Sequence, residues 1–496
     1  MSEATPQTSE SADIQALAKG GRTTFFGFLL RLMARIPFLF IAGRLYGAEA
    51  LGRFASALVA IELAGQLCTL GQKRGLAQRL AEEERHPANI VGDAMLLSTM
   101  IALVVAAVFF VFPAPMFPSG HYTQFERWLP LVLVPATLTD IALSAQAYRF
   151  DIATSVRSRA VVEPWVLSIL AGVLYFVVPD SGMILAYIGS ILASAVVALI
   201  PVYRTYGLPS DWRPHPLLLG RLGLANLPLA AADAVEWGTR RLDIAILGVF
   251  ASPTAVGVYY VAQQIASLPQ KLKTSFEPVL GPVITRNLKE GNLAAIAGQV
   301  SQVGFWVTAA QFGVALALGI PGEGVMGLTG PEFVGGTGAL TLLLVAEVVA
   351  STAAISEAAL IYVKRLQNLY ISLATIVLQA LMTVGLILLV ERFHLGEFFR
   401  AAAAAGGLML ALGMASLAKS RLLASYLGAS TRIWRWPLIW AAAPAVVVGW
   451  IATRFLPEWA ELLFGIPAIL IAYGWVIWHK GFGPEDRVLF RKNVGA

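Results

Sequence analysis

The sequence predicts an all-α polytopic membrane protein with about 14 transmembrane helices, arranged as two pseudo-symmetric six-helix lobes followed by two C-terminal helices. Three observations predict this class. The chain is 57% hydrophobic and only 13% charged, which is too little polar surface to cover a soluble globule of 496 residues. Apolar runs of about 20 residues, the length that crosses ~30 Å of hydrocarbon, recur along the chain. Lysine and arginine alternate between the loops that these runs define.

Fourteen apolar runs form three groups along the chain. The first six predicted spans are 23–43, 50–70, 90–112, 128–148, 161–178 and 183–203. The next six are 224–250, 255–280, 295–320, 338–363, 369–390 and 399–417, and the last two are 433–453 and 460–479.

A short internal repeat supports the division into lobes. Residues 43–54, GRLYGAEALGRF, align without gaps on residues 248–259, GVFASPTAVGVY. Each copy forms the predicted turn between the first and second spans of a six-span unit, and an even number of spans makes the two units parallel. The predicted regions are an N-terminal tail (1–22), an N-lobe (23–205), a C-lobe (206–420), and the last two spans with a C-terminal tail (421–496).

The distribution of positive charge predicts the orientation. If the N-terminus is cytoplasmic, the inner segments together with the inner ends of the spans hold 24 of the 36 lysines and arginines, the outer loops together with the outer ends of the spans hold six, and six lie deeper within spans. Because cytoplasmic loops of membrane proteins carry the excess of these residues, both termini are predicted to be cytoplasmic. The first twenty residues lack the basic start and apolar stretch of a secretory signal.

The same composition argues against several classes of chemistry. The single cysteine, Cys68, leaves no intramolecular disulfide, and the five scattered histidines show no metal-ligand spacing. No metal and no organic cofactor are expected. The net charge of +6 is distributed among loops rather than gathered in a basic domain, so nucleic-acid binding is not expected either.

Residues 45–54, LYGAEALGRF, are followed by a span and then by LGQKR at 70–74, before a loop of mixed charge. This pattern resembles the polysaccharide-transporter branch of the MOP flippase superfamily, the Wzx-like O-antigen and exopolysaccharide flippases, and the twelve-plus-two span plan extends the resemblance over nearly the whole chain. The resemblance implies a V-shaped pair of lobes in the inner membrane without enzymatic activity. Such a protein flips a polyprenyl-diphosphate-linked oligosaccharide to the outer leaflet for cell-surface polysaccharide or lipopolysaccharide synthesis.

The resemblance also implies the partners, which are this lipid-linked substrate and the membrane lipids. It leaves contact with the polysaccharide polymerase machinery open.

Ionisable residues inside spans are candidate functional residues, because each costs about 2.5 to 3.5 kcal/mol at a helix centre and must face protein or water. Arg31 and Arg35 lie four residues apart on the first span. The seventh span carries Asp233, Glu236, Arg240, Arg241 and Asp243, and the eighth carries a polar stripe with Lys271 and Lys273 beside it.

Cations on equivalent helices of the two repeats suit a lumen for an anionic diphosphate, because arginine matches phosphate oxygens with a planar fork. The predicted substrate-binding residues are Arg31, Arg35, Arg240, Arg241, Lys271, Lys273, Gln263 and Gln270. The alternative is that Arg240 pairs with Glu236 and Asp243 as structural ion pairs, and that the two lysines extend towards the cytoplasm. Glu62, Asp233 and Glu236 are candidates for coupling to H⁺ or Na⁺.

Other functions stay open at this stage. Within transport, the alternatives are a multidrug or metabolite exporter and a lipid II flippase of the same superfamily, and a cationic lumen suits cationic drugs poorly. In a different class, the alternative is a membrane-embedded oligosaccharide polymerase or glycosyltransferase. Such enzymes need a sizeable outer loop or an acidic catalytic loop, and the longest predicted loops hold about twenty residues with no nucleophile, base and orienting group at plausible spacing.

Overall fold

The computed structural model describes residues 36–149, 151–274, 277–429, 431, 433–483 and 486–487. This part of the chain is built from α-helices, several of which are continuous with short 3₁₀ or π segments, and it contains twelve helices long and apolar enough to cross a membrane. The prediction of an all-α polytopic membrane protein is confirmed. The chain divides into two compact units, here called the amino-terminal unit (described from residue 36 to 260) and the carboxy-terminal unit (described from residue 261 to 487).

Among the described residues of the amino-terminal unit, seven α-helices have eleven residues or more, and an eighth begins in it. They are α1 (Gly47–Cys68), α2 (Gln72–Glu82), α3 (Pro87–Val111), α4 (Leu133–Tyr148), α5 (Glu163–Tyr175), α6 (Gly182–Tyr206), α7 (Pro216–Phe250) and α8 (Pro253–Thr274). A buried apolar cluster, which includes Leu76, Ile90 and Ile141, joins α2, α3, α4 and α6. This cluster holds α2 against the spans.

The carboxy-terminal unit continues with α9 (Glu277–Lys289), α10 (Leu293–Gly319), α11 (Gly322–Gly327), α12 (Thr337–Val363), α13 (Arg365–Arg392), α14 (Glu397–Leu427), α15 (Pro437–Phe455) and α16 (Ile466–Val476). Its core is centred on α10, where Phe305 is fully buried and Trp306 nearly so, and Tyr473 of α16 joins the same cluster.

Twelve candidate spans are found where fourteen were predicted, and the difference has two sources. Most of the first predicted span, 23–43, lies outside the described residues. The eighth, 255–280, forms α8, but α8 is not apolar enough to count among the candidate spans. Polar residues at Gln263, Ser267 and Gln270 reduce its hydropathy. The remaining twelve predicted spans all overlap a candidate span.

Both copies of the internal repeat lie at turns between successive helices. The helix before α1 ends at Tyr46, and the chain reverses at Gly47, which has a φ of +80° that a residue without Cβ adopts at little cost. In the second copy, α7 ends at Phe250 and α8 begins at Pro253, a residue suited to the first turn of a helix.

Candidate functional site: charged residues on the spans

An ion pair joins Glu62 of α1 to Arg241 of α7 within the amino-terminal unit. Arg241 Nε lies 3.1 Å from Glu62 Oε2, and Arg241 Nη2 donates to Glu62 Oε1 over 3.4 Å. Two contacts of this kind match the planar guanidinium to the carboxylate. The arginine and glutamate side chains keep 21% and 31% of their surface exposed. The pair is therefore neutralised within the membrane region, and part of each side chain stays exposed.

Close approach of α1 and α7 brings together these two residues, which are 179 positions apart. A Cβ added to Gly248 of α7 would lie 3.3 Å from Ser56 Oγ of α1. Small residues let membrane helices approach closely, and Glu62 and Arg241 each lie about two turns along their helices from this contact.

A second charged cluster lies where α1 meets α2. The buried Asp233 of α7 has its Oδ1 2.7 Å from Arg74 Nε and its Oδ2 3.7 Å from Lys73 Nζ, and Lys73 also donates to the side-chain oxygen of Gln66. The chain turns at Gly71, with a φ of +65°, and a Cβ there would lie 2.9 Å from a backbone nitrogen of α7. A glycine at this turn lets α7 approach and places Asp233 beside the basic residues.

A third cluster centres on Arg159, which bridges two carboxylates. Its Nη1 donates to Glu163 Oε2 over 2.7 Å, and its Nη2 donates to Asp140 Oδ1. Glu163 also accepts a hydrogen bond of 3.3 Å from the hydroxyl of Ser194 on α6. Between 22% and 30% of each of the three charged side chains is exposed. One guanidinium thus faces two acids.

The helical run that carries Arg159 begins at Ile152, directly after Asp151. The carboxylate of Asp151 accepts hydrogen bonds from the Thr154 hydroxyl at 2.6 Å and from the Thr154 backbone N–H at 3.1 Å. These bonds, the hydroxyl bond foremost, hold the pKa of Asp151 below its usual value. An ionised Asp151 supports the start of the helix, because a negative charge is favourable at a helix N-terminus.

Tyr187 of α6 connects the Arg159 cluster to the Glu62–Arg241 pair. It interacts electrostatically with Glu62, Glu163 and Arg159. Its ring packs edge-to-face on Phe54 of α1, with 5.6 Å between the ring centroids. The two clusters are therefore neighbours around one tyrosine.

A fourth carboxylate extends this network. The buried Asp243 accepts a hydrogen bond from the hydroxyl of Tyr259, which is fully buried, and it also interacts electrostatically with Arg241. Among the described side chains, the network contains four carboxylates and two guanidiniums. The carboxylates are Glu62, Asp140, Glu163 and Asp243, and the guanidiniums belong to Arg159 and Arg241.

The carboxy-terminal unit contains two of the predicted polar residues on α8. Gln270 Nε2 donates to the carboxylate of Glu347 on α12 over 3.1 Å. The carbonyl of the preceding Pro269 accepts from Gln311 Nε2 of α10 at 2.8 Å. Gln263 is half-buried and makes further contacts. Around Gln270, α8 is thus hydrogen-bonded to α10 and α12 of its own unit.

The remaining predicted site residues fall into three groups. Arg31 and Arg35 lie outside the described residues, and Glu236, Lys271 and Lys273 lie on α7 and α8 at positions whose side chains the structure does not describe. Arg240 is exposed on α7 and makes contacts of its own. In the part of the chain that the structure describes, no group of three or more side chains is placed to hold a metal ion.

Sequence reasoning missed Arg159 as a site residue. The spans predicted from sequence leave Arg159 in the inner loop between 148 and 161, whereas the structure places it within the candidate span Ala153–Tyr175. The available signal was the spacing of four residues between Arg159 and Glu163, which puts both charges on one helix face. Tyr187 gave no signal, because a lone tyrosine in an apolar run is common.

The fold is that of the MOP superfamily of transporters. The lipid II flippase MurJ in an inward closed conformation superposes with a TM-score of 0.71 at 11% identity, covering 93% of this chain and 99% of that one. An inward-facing multidrug resistance MATE family transporter gives a TM-score of 0.60 at 14% identity, covering 84% of this chain and 95% of the other. A MOP superfamily transporter from Pyrococcus furiosus gives 0.53 at 13% identity, with 84% and 96% covered.

Residues 41–300, more than half of the chain, match the family model described as polysaccharide biosynthesis protein. The chain belongs to this polysaccharide biosynthesis protein family. No curated protein matches it significantly. The predicted resemblance to the polysaccharide branch of the MOP superfamily is confirmed.

Proposed function

We propose that this protein flips a polyprenyl-diphosphate-linked oligosaccharide from the inner to the outer leaflet of the cytoplasmic membrane, for synthesis of cell-surface polysaccharide. The observation that carries the proposal is the guanidinium of Arg241. It lies on a membrane-spanning helix, and 21% of the side chain is exposed. A charge within the membrane is costly, so an arginine at this position points to a function. Membership of a polysaccharide biosynthesis family supports a glycan-bearing anion as its ligand.

In this proposal, substrate phosphates compete with Glu62 for Arg241. Carboxylate and phosphate both accept the parallel hydrogen bonds of a guanidinium, so an arriving diphosphate can replace Glu62 at little cost in hydrogen bonding. The other proposed contacts with the substrate are Arg31, Arg35, Arg240, Lys271, Lys273, Gln263 and Gln270.

The proposal assigns coupling to the acidic residues Glu62, Asp233 and Glu236. When a phosphate takes Arg241, the released Glu62 carboxylate stands in a network in which acids already outnumber arginines. An unpaired carboxylate in a low-dielectric region favours uptake of H⁺ or Na⁺. Cation uptake would then accompany substrate binding.

The proposed transport cycle is alternating access between two six-helix lobes, 23–205 and 206–420, around a cationic central cavity. Fourteen spans and cytoplasmic termini complete the proposed topology. The positive-inside distribution of lysine and arginine supports this orientation. The substrate and the surrounding lipids are the proposed partners, together with contact to the polysaccharide polymerase machinery.

The test is reconstitution into liposomes with a fluorescent polyprenyl-diphosphate oligosaccharide, scored by how much of the label becomes accessible on the far side. We expect flipping by the parent protein and its loss in Arg31→Ala, Arg35→Ala and Arg241→Gln. The matched control is Arg454→Gln, because Arg454 is exposed at the end of α15. Absence of flipping by well-folded parent protein contradicts the function. Unchanged flipping in all three variants contradicts the site.

Two further substrates and an analysis of the recovered lipid address the alternative functions. Lipid II in place of the oligosaccharide lipid identifies a lipid II flippase, if that lipid alone is flipped. A cationic dye loaded into the liposomes identifies a multidrug exporter, if it leaves faster with the protein than without it. New glycosidic bonds in the recovered lipid would identify a polymerase or glycosyltransferase.

A further inference from the structure

An apolar cavity of about 450 Å³ lies within the amino-terminal unit, among α1, α3, α7 and the segment 114–118. Its walls include Val59, Leu63, Phe109 and Ile244, and the side chains of Ser56 and Trp237 bring the only polar side-chain atoms of the lining. A volume in this range is typical of pockets that hold small organic ligands. Because the walls are almost entirely apolar, they favour a hydrocarbon ligand.

The cavity lies beside the Glu62–Arg241 pair. On α7, Trp237 and Ala245 of the lining are four residues before and after Arg241, and on α1 Leu63 adjoins Glu62 in sequence. Residues four apart share a helix face, so the guanidinium is within about one helical turn of the apolar wall. A charged group and a hydrocarbon pocket therefore adjoin each other.

Trp237 adds a hydrogen-bond donor at the same place. Its indole N–H is buried and has no acceptor among the described residues. A buried donor without a partner is unfavourable, and an oxygen-rich ligand would relieve this cost. The donor lies one helical turn from Arg241, so one anionic group could contact both residues.

We propose that this cavity receives the first isoprene units of the lipid carrier, with the diphosphate at Arg241. This inference rests on the proposed function and names the part of the substrate that the site holds. In a polyprenyl diphosphate, the hydrocarbon is bonded directly to a phosphate oxygen. In a phospholipid, a glycerol with two ester groups separates the phosphate from the chains. A pocket within a single turn of the guanidinium fits the first arrangement.

The first experiment uses a polyprenyl diphosphate without sugar that carries a diazirine on its first isoprene unit, added to the purified full chain in lipid nanodiscs. Photolysis and peptide mapping should place the label on α1, α3 and α7 at the cavity wall. Excess unlabelled polyprenyl diphosphate should abolish the label, whereas excess phospholipid should not. Labelling only outside the cavity overturns the proposal. Cavity labelling that phospholipid removes equally well assigns the pocket to ordinary lipid and also overturns it.

The second experiment fills the cavity. Ala60→Leu and Ala245→Leu each add a branched side chain to the lining, whereas Ala107→Leu makes the same change at an exposed position of α3 outside the cavity. Exclusion of even two methylene groups should weaken binding of the polyprenyl diphosphate by about tenfold, while inorganic diphosphate should compete for the headgroup site as before. Parent-like affinity in both filled variants, with unchanged unfolding temperatures, overturns the proposal.

The two proposals can fail separately. If the parent protein flips the oligosaccharide lipid but the first isoprene unit labels no cavity residue, the transport function stands and the tail site is wrong. If the cavity is labelled but nothing is flipped, the tail site stands and the transport function is wrong.

Discussion

Gly52 of α1 and Gly257 of α8 meet backbone to backbone, and the contact is two-fold symmetric. A Cβ on Gly52 would lie 1.7 Å from the carbonyl oxygen of Pro253, and a Cβ on Gly257 would lie 2.0 Å from the carbonyl oxygen of Ala48. The same number of positions separates 48 from 253 and 52 from 257. Each repeat therefore presents the same carbonyl to the same glycine of the other repeat.

This contact predicts that Gly52→Ala and Gly257→Ala destabilise the protein. A methyl group cannot fit against a carbonyl at these distances, so the helices must separate, and overpacking of this kind costs about 1–3 kcal/mol. Thermal unfolding in detergent measures the effect. Gly385→Ala is the matched control, because a Cβ there meets nothing within 4 Å and alanine favours the helix. Parent-like stability of Gly52→Ala would contradict the close contact.

The Glu62–Arg241 pair predicts non-additive effects in a double-mutant cycle. Glu62→Gln and Arg241→Gln should each destabilise the protein by about 1–3 kcal/mol, less than for a fully buried pair because both side chains are partly exposed. The double variant should lose less than the sum of the two, since it leaves no unpaired charge. Glu84→Gln and Arg454→Gln, at exposed positions, provide the additive control.

The same pair predicts opposite effects on headgroup affinity. In the proposed function, Glu62 competes with the headgroup for Arg241, so Glu62→Gln should tighten binding of a soluble sugar diphosphate, whereas Arg241→Gln should weaken it. A change of about tenfold in either direction corresponds to one charge-assisted hydrogen bond. Equal weakening by both variants would show that Glu62 supports the site instead of competing with the ligand.

Span length and loop charge were sufficient to predict the membrane class from sequence, because both depend on local composition. The partners of the charges were not predictable in this way. Glu62 and Arg241 are brought together by packing at Gly248, and no local pattern reports a contact between residues that are 179 positions apart. Arg159 was misplaced for a related reason, since an arginine reads as a loop residue until its two acidic partners are known.

Two substitutions of Arg159 separate the contribution of its charge from that of its planar shape. Arg159→Gln leaves Asp140 and Glu163 facing each other without a cation, whereas Arg159→Lys keeps the charge but loses the fork that reaches both. We expect the glutamine variant to lose about 2–4 kcal/mol and the lysine variant to lose less. Chemical denaturation in detergent measures both. Equal stability of the two variants would show that charge in this cluster contributes little.

The segment between α6 and α7 is held to α3 by a buried carboxylate. Asp93, which is fully buried, accepts from Trp212 Nε1 at 2.8 Å and from Arg85 Nη1 at 2.8 Å. Trp212→Phe keeps the ring but removes the donor, so it should cost about 1–3 kcal/mol and make residues 207–215 more susceptible to proteolysis. Trp436→Phe, at a site 74% exposed, should change neither property. Parent-like cleavage of Trp212→Phe would mean that the ring alone anchors the segment.

A second buried carboxylate, that of Asp486, connects the chain after α16 to α10 by hydrogen bonds. Asp486 accepts from Arg435 Nη1 at 2.8 Å, from Trp306 Nε1 at 2.9 Å and from Gln302 Nε2 at 3.3 Å. The Arg435 guanidinium also lies 3.9 Å from the centre of the Phe305 ring, so removing its partner affects the packing of α10 as well.

Asp486→Asn keeps the shape of the side chain but loses the charge that strengthens these bonds, and we expect a loss of about 1–3 kcal/mol with faster hydrogen exchange in residues 477–483 and 486–487. Asp180→Asn, on an exposed turn, is the control. Faster exchange with unchanged unfolding temperature would show that the C-terminal contact opens locally and contributes nothing to the core of its unit. Unchanged exchange as well would mean that the charge of Asp486 is not what holds this segment.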